Sequence, residues 1–333
     1  MVTLSKLENP TVEQAKDYFN WEILKTPVFG HDGRNLEGFS EFRSGKGQTL
    51  HVGKTSYSPA QPSVALNILL EALAGLNKPF KFVNLGSFAN DKKIFAQVQV
   101  GENSRFTLAN GKEIEGLITM AKGNDESIPM SFWETMIYII CQNSFNAALR
   151  QRGDAELNVS HRQTKNSESR IEAVKAELVA LLSNQAQTQD ALSKLSIKKL
   201  TKDQAEYGFL GLLNNTLEKD EQKTESAMGV TRLTNTLERY MNAFVSSPGV
   251  TGSTREDWLN AITFVDTHGN KESKRFNANK QFVSSEFGTS SRRKTLAFNL
   301  ATDDKSFNRI ISIGRNVKKG LVIPVTVPQL VNN

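Results

Sequence analysis

The stretch from Phe80 to Met120 limits most strongly what this chain can fold into. It carries three strand-type runs, Phe80 to Phe88, Lys93 to Val100 and Ile114 to Met120, with Phe95, Val98 and Val100 as the apolar members of the middle run. Asn90-Asp91 and Asn110-Gly111 lie in the turns between them, and an Asn-Gly pair supplies the left-handed backbone a tight reversal needs. Short connections join antiparallel neighbours, so the spacing predicts a meander. Upstream, Phe39 to Tyr57 reads as two short strands around the glycine turn Ser44 to Gly47, and Val64, Leu66, Ile68, Leu69, Ala72, Leu73 and Leu76 follow a helical period. Downstream, SFWETMIYIICQNSFNAALRQRG (131–153) is apolar on most faces, which predicts a buried central helix. The expected core is therefore α+β, with the order hairpin, helix, antiparallel meander, central helix.

Around that core the chain divides by pattern. Residues 1–20 form a polar lead-in with a short helix at Thr11 to Phe19, opened by Thr11 and Gln14 at capping-box spacing. Residues 21–165 make the core domain. Residues 166–305 are mainly helical: Ser169/Glu172, Thr201/Gln204 and Thr254/Asp257 are capping pairs, and helices are expected from Ser169 onward and at 202–218, 229–246 and 255–267. Residues 306–333, strand-like but broken by Pro324 and Pro328, are expected to be either an arm that docks on a neighbouring subunit or a mobile tail.

Composition excludes several classes. With 333 residues and 38% hydrophobic content the chain can build a real core, so a natively disordered protein is excluded. The longest apolar stretch, Met136 to Cys141, is six residues against the roughly 20 a membrane span requires. The N-terminal residues lack a signal-peptide pattern, and an intracellular, cytoplasmic protein is expected. A lone cysteine, Cys141, excludes an internal disulfide framework and a cysteine-clustered metal site. The net charge of +6 is uneven: residues 268–320 hold twelve Lys or Arg against four acids. Such clustering suits a polyanion, because phosphates reward grouped cations through counterion release, and it equally suits a solvated basic surface.

Enzyme motifs are missing. His31, His51, His161 and His268 lack metal-ligand spacing, SGKGQT (44–49) lacks the Gly-Lys-Ser/Thr ending of a phosphate loop and reads as a turn, and no Gly-x-Ser-x-Gly elbow occurs. The expectation is a protein that is not an enzyme and takes no cofactor and no metal.

The segments ICQNSFNAAL (140–149) and NVSHRQTKNSESRIEAVKAEL (158–178) resemble the phage/plasmid-like protein family catalogued as domain of unknown function 932. Cys141, Gln142 and Asn143 match its Cys-Gln-Asn-Thr-type helix with Ser144 in place of threonine. His161 departs from its Arg-His-Thr pattern, being followed by Arg162, Gln163 and Thr164. VGKTSYSPAQP, GSFANDKKIFAQVQV, WLNAITFVDTH and SEFGTSSRRKTLAFNL extend the resemblance over about residues 21–302. It implies a phage, prophage or plasmid gene in a bacterial cytoplasm and leaves activity unassigned. The element order is also similar to Rad52-type single-strand annealing proteins, which implies rings or filaments of subunits with a basic groove for single-stranded DNA.

Strand annealing needs no nucleophile or metal; it needs cations that track one backbone while the bases stay free. The candidate phosphate contacts are Lys92, Lys93, Arg105, Lys112 and Lys122 on the meander, then Arg150, Arg152, His161, Arg162 and Lys165, and in the basic segment Lys274, Arg275, Arg292, Arg293 and Lys294. Phe88, Phe95 and Phe106 are candidates for base stacking, weighed against ordinary core positions. The expected function is single-stranded DNA binding and annealing by a homo-oligomer in recombination or replication. Its expected partners are single-stranded DNA, duplex DNA, further copies of the chain, and an exonuclease or single-strand-binding protein, with no membrane. The alternative is a non-enzymatic accessory protein that binds a host repair or defence protein.

Overall fold

A computed structural model of the chain describes residues 4–57, 59–125, 130–138, 143–146, 167–220, 227–269 and 276–320. The architecture is α+β, an antiparallel sheet followed by a helical region. The chain divides into two compact units, Met1–Ser104 with Gly116–Thr135 and Arg150–Ala186, and Arg105–Glu115 with Met136–Leu149 and Gln187–Asn333.

The first unit opens with β1 (Leu4–Glu8) and α1 (Val12–Tyr18). The predicted capping box starts α1: the Thr11 hydroxyl accepts from the Gln14 amide at 3.2 Å and the Gln14 side chain accepts from the Thr11 amide at 2.9 Å. Next, β2 (Ile23–Phe29), β3 (Asn35–Ser44) and β4 (Thr49–Lys54) form a separate sheet in that order. The β3–β4 hairpin is the predicted one, with Gly47 at φ +88° in its turn. The strands β1 and β2 were not expected. Helix α2 (Pro62–Ala74) starts with proline, whose missing N–H costs nothing at that position, and buries Ala65, Leu66, Leu69, Ala72 and Leu73.

The meander follows as β5 (Phe80–Phe88), β6 (Lys93–Val100), β7 (Arg105–Thr107) and β8 (Glu113–Gly123). The main sheet has the order β1-β5-β6-β8, with short β7 paired to the start of β8. Asn110-Gly111 therefore turns β7 into β8, and β7 is an additional short strand beyond the three expected. On one face Ile94, Ala96, Val98, Ile118 and Met120 join the α2 residues in the core of the first unit. The other face carries a polar ladder in which the Asn84 amide donates to Gln97 at 2.9 Å, Gln97 to Thr119 at 3.4 Å, and the Thr119 and Thr135 hydroxyls meet at 2.7 Å. Gln97, Thr119 and Thr135 thereby each have a partner for a buried polar side chain.

The predicted central helix at 131–153 is corrected. Ser131–Tyr138 is strand β9 and Asn143–Asn146 is strand β10, which extend the sheet beyond β8. A strand covered on both faces is apolar all round, just as a buried helix is, and the Trp, Ile, Tyr and Phe content here suits a pleated backbone. Residues 139–142 and 147–153 lie outside the described residues.

The helices are α3 (Ser167–Ile197), α4 (Lys202–Asp220), α5 (Ala227–Ser246), α6 (Arg255–His268), α7 (Ala278–Phe287), α8 (Thr289–Thr302) and α9 (Asp304–Gly320). Helix α3 begins two residues before the Ser169/Glu172 pair; the boxes at Thr201/Gln204 and Thr254/Asp257 form as read. The core of the second unit centres on aromatic rings: Phe209 stacks on Trp258 at 5.5 Å, and Phe307 meets Trp258 edge-on at 5.1 Å. The reading of 306–333 as tail or arm is corrected for residues 306–320, which belong to α9. Phe307, Ile310, Ile311 and Gly314 bury one face of that helix, and α9 packs on α4. At this crossing a Cβ on Gly211 would strike the Ile310 carbonyl oxygen and one on Gly314 the Tyr207 carbonyl oxygen, so only glycine permits the approach. Gly320, by contrast, has open space around it.

Gly314→Ala is expected to lower unfolding stability by about 1–3 kcal/mol through overpacking, whereas Gly320→Ala is expected to lie within about 0.5 kcal/mol of the parent. Urea unfolding of the two variants checks this, and equal stability of both would contradict the close packing.

Candidate nucleic-acid interface

In the first unit the β5–β6 turn is built on a strained backbone. Ala89, Asn90 and Asp91 all have left-handed φ, at 56°, 58° and 63°. Asn and Asp tolerate this region and Ala does not, so the surroundings must impose it. The Ser87 hydroxyl donates to Asp91 Oδ1 at 2.5 Å, the Asn124 side chain donates to the Asp91 carbonyl at 2.7 Å, and the Asn124 amide donates to the Lys92 carbonyl at 2.6 Å. Lys122, only 2% exposed, donates to Asn124 Oδ1 at 2.6 Å. Burial pulls its pKa down to about 7, against the smaller opposing pull of Asp125. The expectation that Lys122 contacts phosphate is thus corrected: its ammonium is enclosed beneath the turn it supports.

Lys92 and Lys93 flank this turn half-buried, with the Lys93 Nζ 5.9 Å from the Phe88 ring centre. The structure adds Lys46, from the glycine turn between β3 and β4. Its Nζ lies 5.1 Å and 5.3 Å from the Tyr18 and Trp21 ring centres and 3.9 Å from Asp91 Oδ1. Phe88 and Phe95 are buried in the core, which removes them as stacking candidates.

In the second unit Arg105 is exposed and paired with Glu115 at 3.2 Å. Lys112 is corrected too. It is 6% exposed, with its Nζ bonded to Glu256 Oε2 and to Asp257 Oδ1 at 3.0 Å, while the Asn110 side chain donates to Glu256 at 3.0 Å. The β7–β8 tip is thereby fastened to the first turn of α6. Burial pushes the Asp257 carboxyl up, but Lys112 and the hydroxyl of Thr251 outweigh it and hold the pKa below the usual carboxylate value.

Of the basic segment, Arg292 is exposed, whereas Arg293 and Lys294 serve the interior and are corrected as phosphate contacts. Arg293 donates to the Tyr240 hydroxyl at 2.9 Å and to Asp266 at 3.3 Å; burial opposes its charge, and Tyr240 and Asp266 outweigh burial. Lys294 is fully buried, donates to Ser285 at 2.7 Å and Thr267 at 3.3 Å, and has its pKa lowered by burial. Arg150, Arg152, His161, Arg162, Lys165, Lys274 and Arg275 lie outside the described residues.

The exposed side of α9 belongs to the basic segment 268–320 but is not among the candidate phosphate contacts named from the sequence. Lys305, Arg309, Arg315 and Lys319 are exposed there together with Asn308, Ser312 and Asn316, opposite the buried Phe307, Ile310 and Gly314. At about 1.5 Å per residue the stripe from Lys305 to Lys319 runs about 21 Å. Arg315 lies 5.5 Å from the Tyr207 ring centre, and Lys318 at the stripe's margin pairs with Glu206 at 2.7 Å. The signal was the pairing of Phe307, Ile310, Ile311 and Gly314 with cations at the complementary helical positions.

Among the described residues no group of three or more His, Cys, Asp or Glu is placed to hold a metal ion, and no helix is long and apolar enough to cross a membrane.

A family model described as Domain of unknown function (DUF932) matches residues 49–295, well over half of the chain. No curated protein and no solved structure matches the chain.

Lys112→Met leaves Glu256 and Asp257 without their cation and is expected to cost about 3–5 kcal/mol of stability, while Arg105→Ala, at an exposed pair, should change it by under about 1 kcal/mol. For Lys122 the sign follows from its lowered pKa. Between about pH 7 and the ordinary lysine value near 10.4 the unfolded chain binds more protons, so this residue makes stability rise with pH across that window. In urea titrations at pH 7, 8 and 9 the parent should gain stability relative to Lys122→Met, and a constant difference would contradict the buried ammonium.

Proposed function

The chain belongs to the DUF932 family, and from that premise we propose that it binds single-stranded DNA and anneals complementary strands as a homo-oligomer in the cytoplasm of a bacterium, on behalf of a phage or plasmid. The observation that carries this reading is the exposed stripe of α9. Lys305, Arg309 and Lys319 have no acidic partner among the described residues, so their charge is available to a polyanion. A line of cations on a rigid helix binds a phosphate backbone without reading bases, which is the demand that annealing makes. The half-buried Lys92 and Lys93 and the exposed Lys46 at the β5–β6 turn are a second cationic place in the first unit. The succession of α2, β5, β6 and β8 keeps the helix-then-meander order on which the likeness to Rad52-type annealing proteins was drawn. The central helix that completed that likeness is replaced by strands, so the reading rests on charge placement more than on element order.

Binding of a labelled single-stranded oligonucleotide, followed by fluorescence anisotropy between 50 and 200 mM salt, tests the proposal. Each phosphate contact removed should flatten the slope of log K against log salt by about 0.7. The variant Lys305→Ala/Arg309→Ala/Arg315→Ala/Lys319→Ala is therefore expected to bind more weakly with a slope shallower by about 3, and to lose the acceleration of strand pairing. Unchanged oligonucleotide anisotropy at micromolar parent protein and 50 mM salt would discard the reading.

A further inference from the structure

Among the described residues, the sheet β2-β3-β4 has one face left open. Registered pairs put Leu24, Thr26, Phe39, Glu41, Arg43, Val52 and Lys54 on that face, since paired residues in neighbouring strands share a side. Phe39 is 51% and Val52 50% exposed, and Leu24 is exposed as well. Glu41 is the position opposite Val52, and Phe39 is two residues along β3 from it, so the two apolar groups are diagonal neighbours. Val52 lies on β4 and Phe39 on the neighbouring β3, and among the described residues β4 pairs on one side only. An edge strand flanked by exposed apolar groups is a template for one more strand.

The sequence supplies a strand with the matching chemistry. Residues 321–333, LVIPVTVPQLVNN, carry seven Leu, Ile or Val and no charged residue. Residues two apart along a strand present their backbone groups to the same edge and their side chains to the same face. Pro324 and Pro328 are four apart, so both missing N–H groups fall on one edge. The other edge keeps the N–H groups of Ile323, Val325 and Val327, whose side chains share a face with Leu321. Such a segment can pair through one edge and blocks further pairing through the other, which is how natural edge strands avoid unlimited growth.

We infer that residues 321–333 of one copy add as a strand to the free edge of β4 in a second copy, with Ile323, Val325 and Val327 covering Val52 and Phe39. The contact is head-to-tail, since the segment and its acceptor are different surfaces, and it closes rings or extends filaments. This deepens the homo-oligomer part of the reading above and rests on it. Its test contains no DNA, so its failure leaves oligonucleotide binding standing, and failed oligonucleotide binding leaves it standing.

The experiment uses full-length, nuclease-treated protein and light scattering. The parent is expected at a multiple of 37.0 kDa. A face variant, Phe39→Asp/Val52→Asp, and a segment variant, Ile323→Asp/Val325→Asp, are each expected at the single-chain mass with unchanged circular dichroism. Mixed together they retain one intact face and one intact segment, and should form a one-to-one complex of twice that mass. A single-chain parent, a variant that keeps the parent's mass, or a mixture that fails to associate would each overturn the inference.

Discussion

The close crossing of α4 and α9 fixes what the second unit shows to solvent. Gly211 and Gly314 let the two backbones approach until no Cβ fits between them, and that contact sets the rotation of α9 about its own axis. With Phe307, Ile310 and Ile311 turned inward beside the aromatic group of Phe209 and Trp258, helical periodicity leaves Lys305, Arg309, Arg315 and Lys319 pointing away. A steric requirement at two residues thus places four charges in a row, and the proposed DNA surface is a consequence of how the core is packed.

Other cations take the opposite course. Lys112, Arg293 and Lys294 are drawn inside and matched with Glu256, Asp257, Asp266, Tyr240 or Ser285. Lys122 is matched with Asn124. Burying a charge is costly, and only dense hydrogen bonding makes it tolerable. The return lies in specificity of arrangement: Lys112 joins a hairpin tip to the start of α6, and Lys122 with Asn124 holds a turn of three left-handed residues. At Lys112 the ammonium itself fastens elements distant in sequence, whereas Lys122 braces Asn124, whose side chain makes the bond to the turn.

Much of the fold was legible in the residues. The capping boxes at Thr11, Thr201 and Thr254 were readable because capping is local, a matter of two side chains three positions apart. The β3–β4 hairpin, the strands β5, β6 and β8 and the helices α2, α4, α5 and α6 followed from period and turn chemistry. Residues 131–138 were misread because a strand buried on both sides shows no alternation to separate it from a buried helix. Strand β1 was missed because its residues are mostly exposed and it is held by backbone pairing to β5, a contact with no side-chain signature. At the candidate site the limit was different. Local sequence shows where positive charge is dense, but whether Lys294 is solvated or enclosed depends on Ser285 and Thr267, residues that neighbour it only after folding. Arg292, two positions away, has the same sequence surroundings and is exposed.

The proposed surface for a nucleotide strand is the outward side of α9. Acylation of lysine amines, read residue by residue by mass spectrometry with and without a saturating single-stranded oligonucleotide, tests it most directly. Lys305 and Lys319 are expected to react freely in the protein alone and to become protected with DNA, while exposed Lys16 on α1 reacts equally in both states. Unaltered reactivity of Lys305 and Lys319 on a protein demonstrably bound to the oligonucleotide would contradict it.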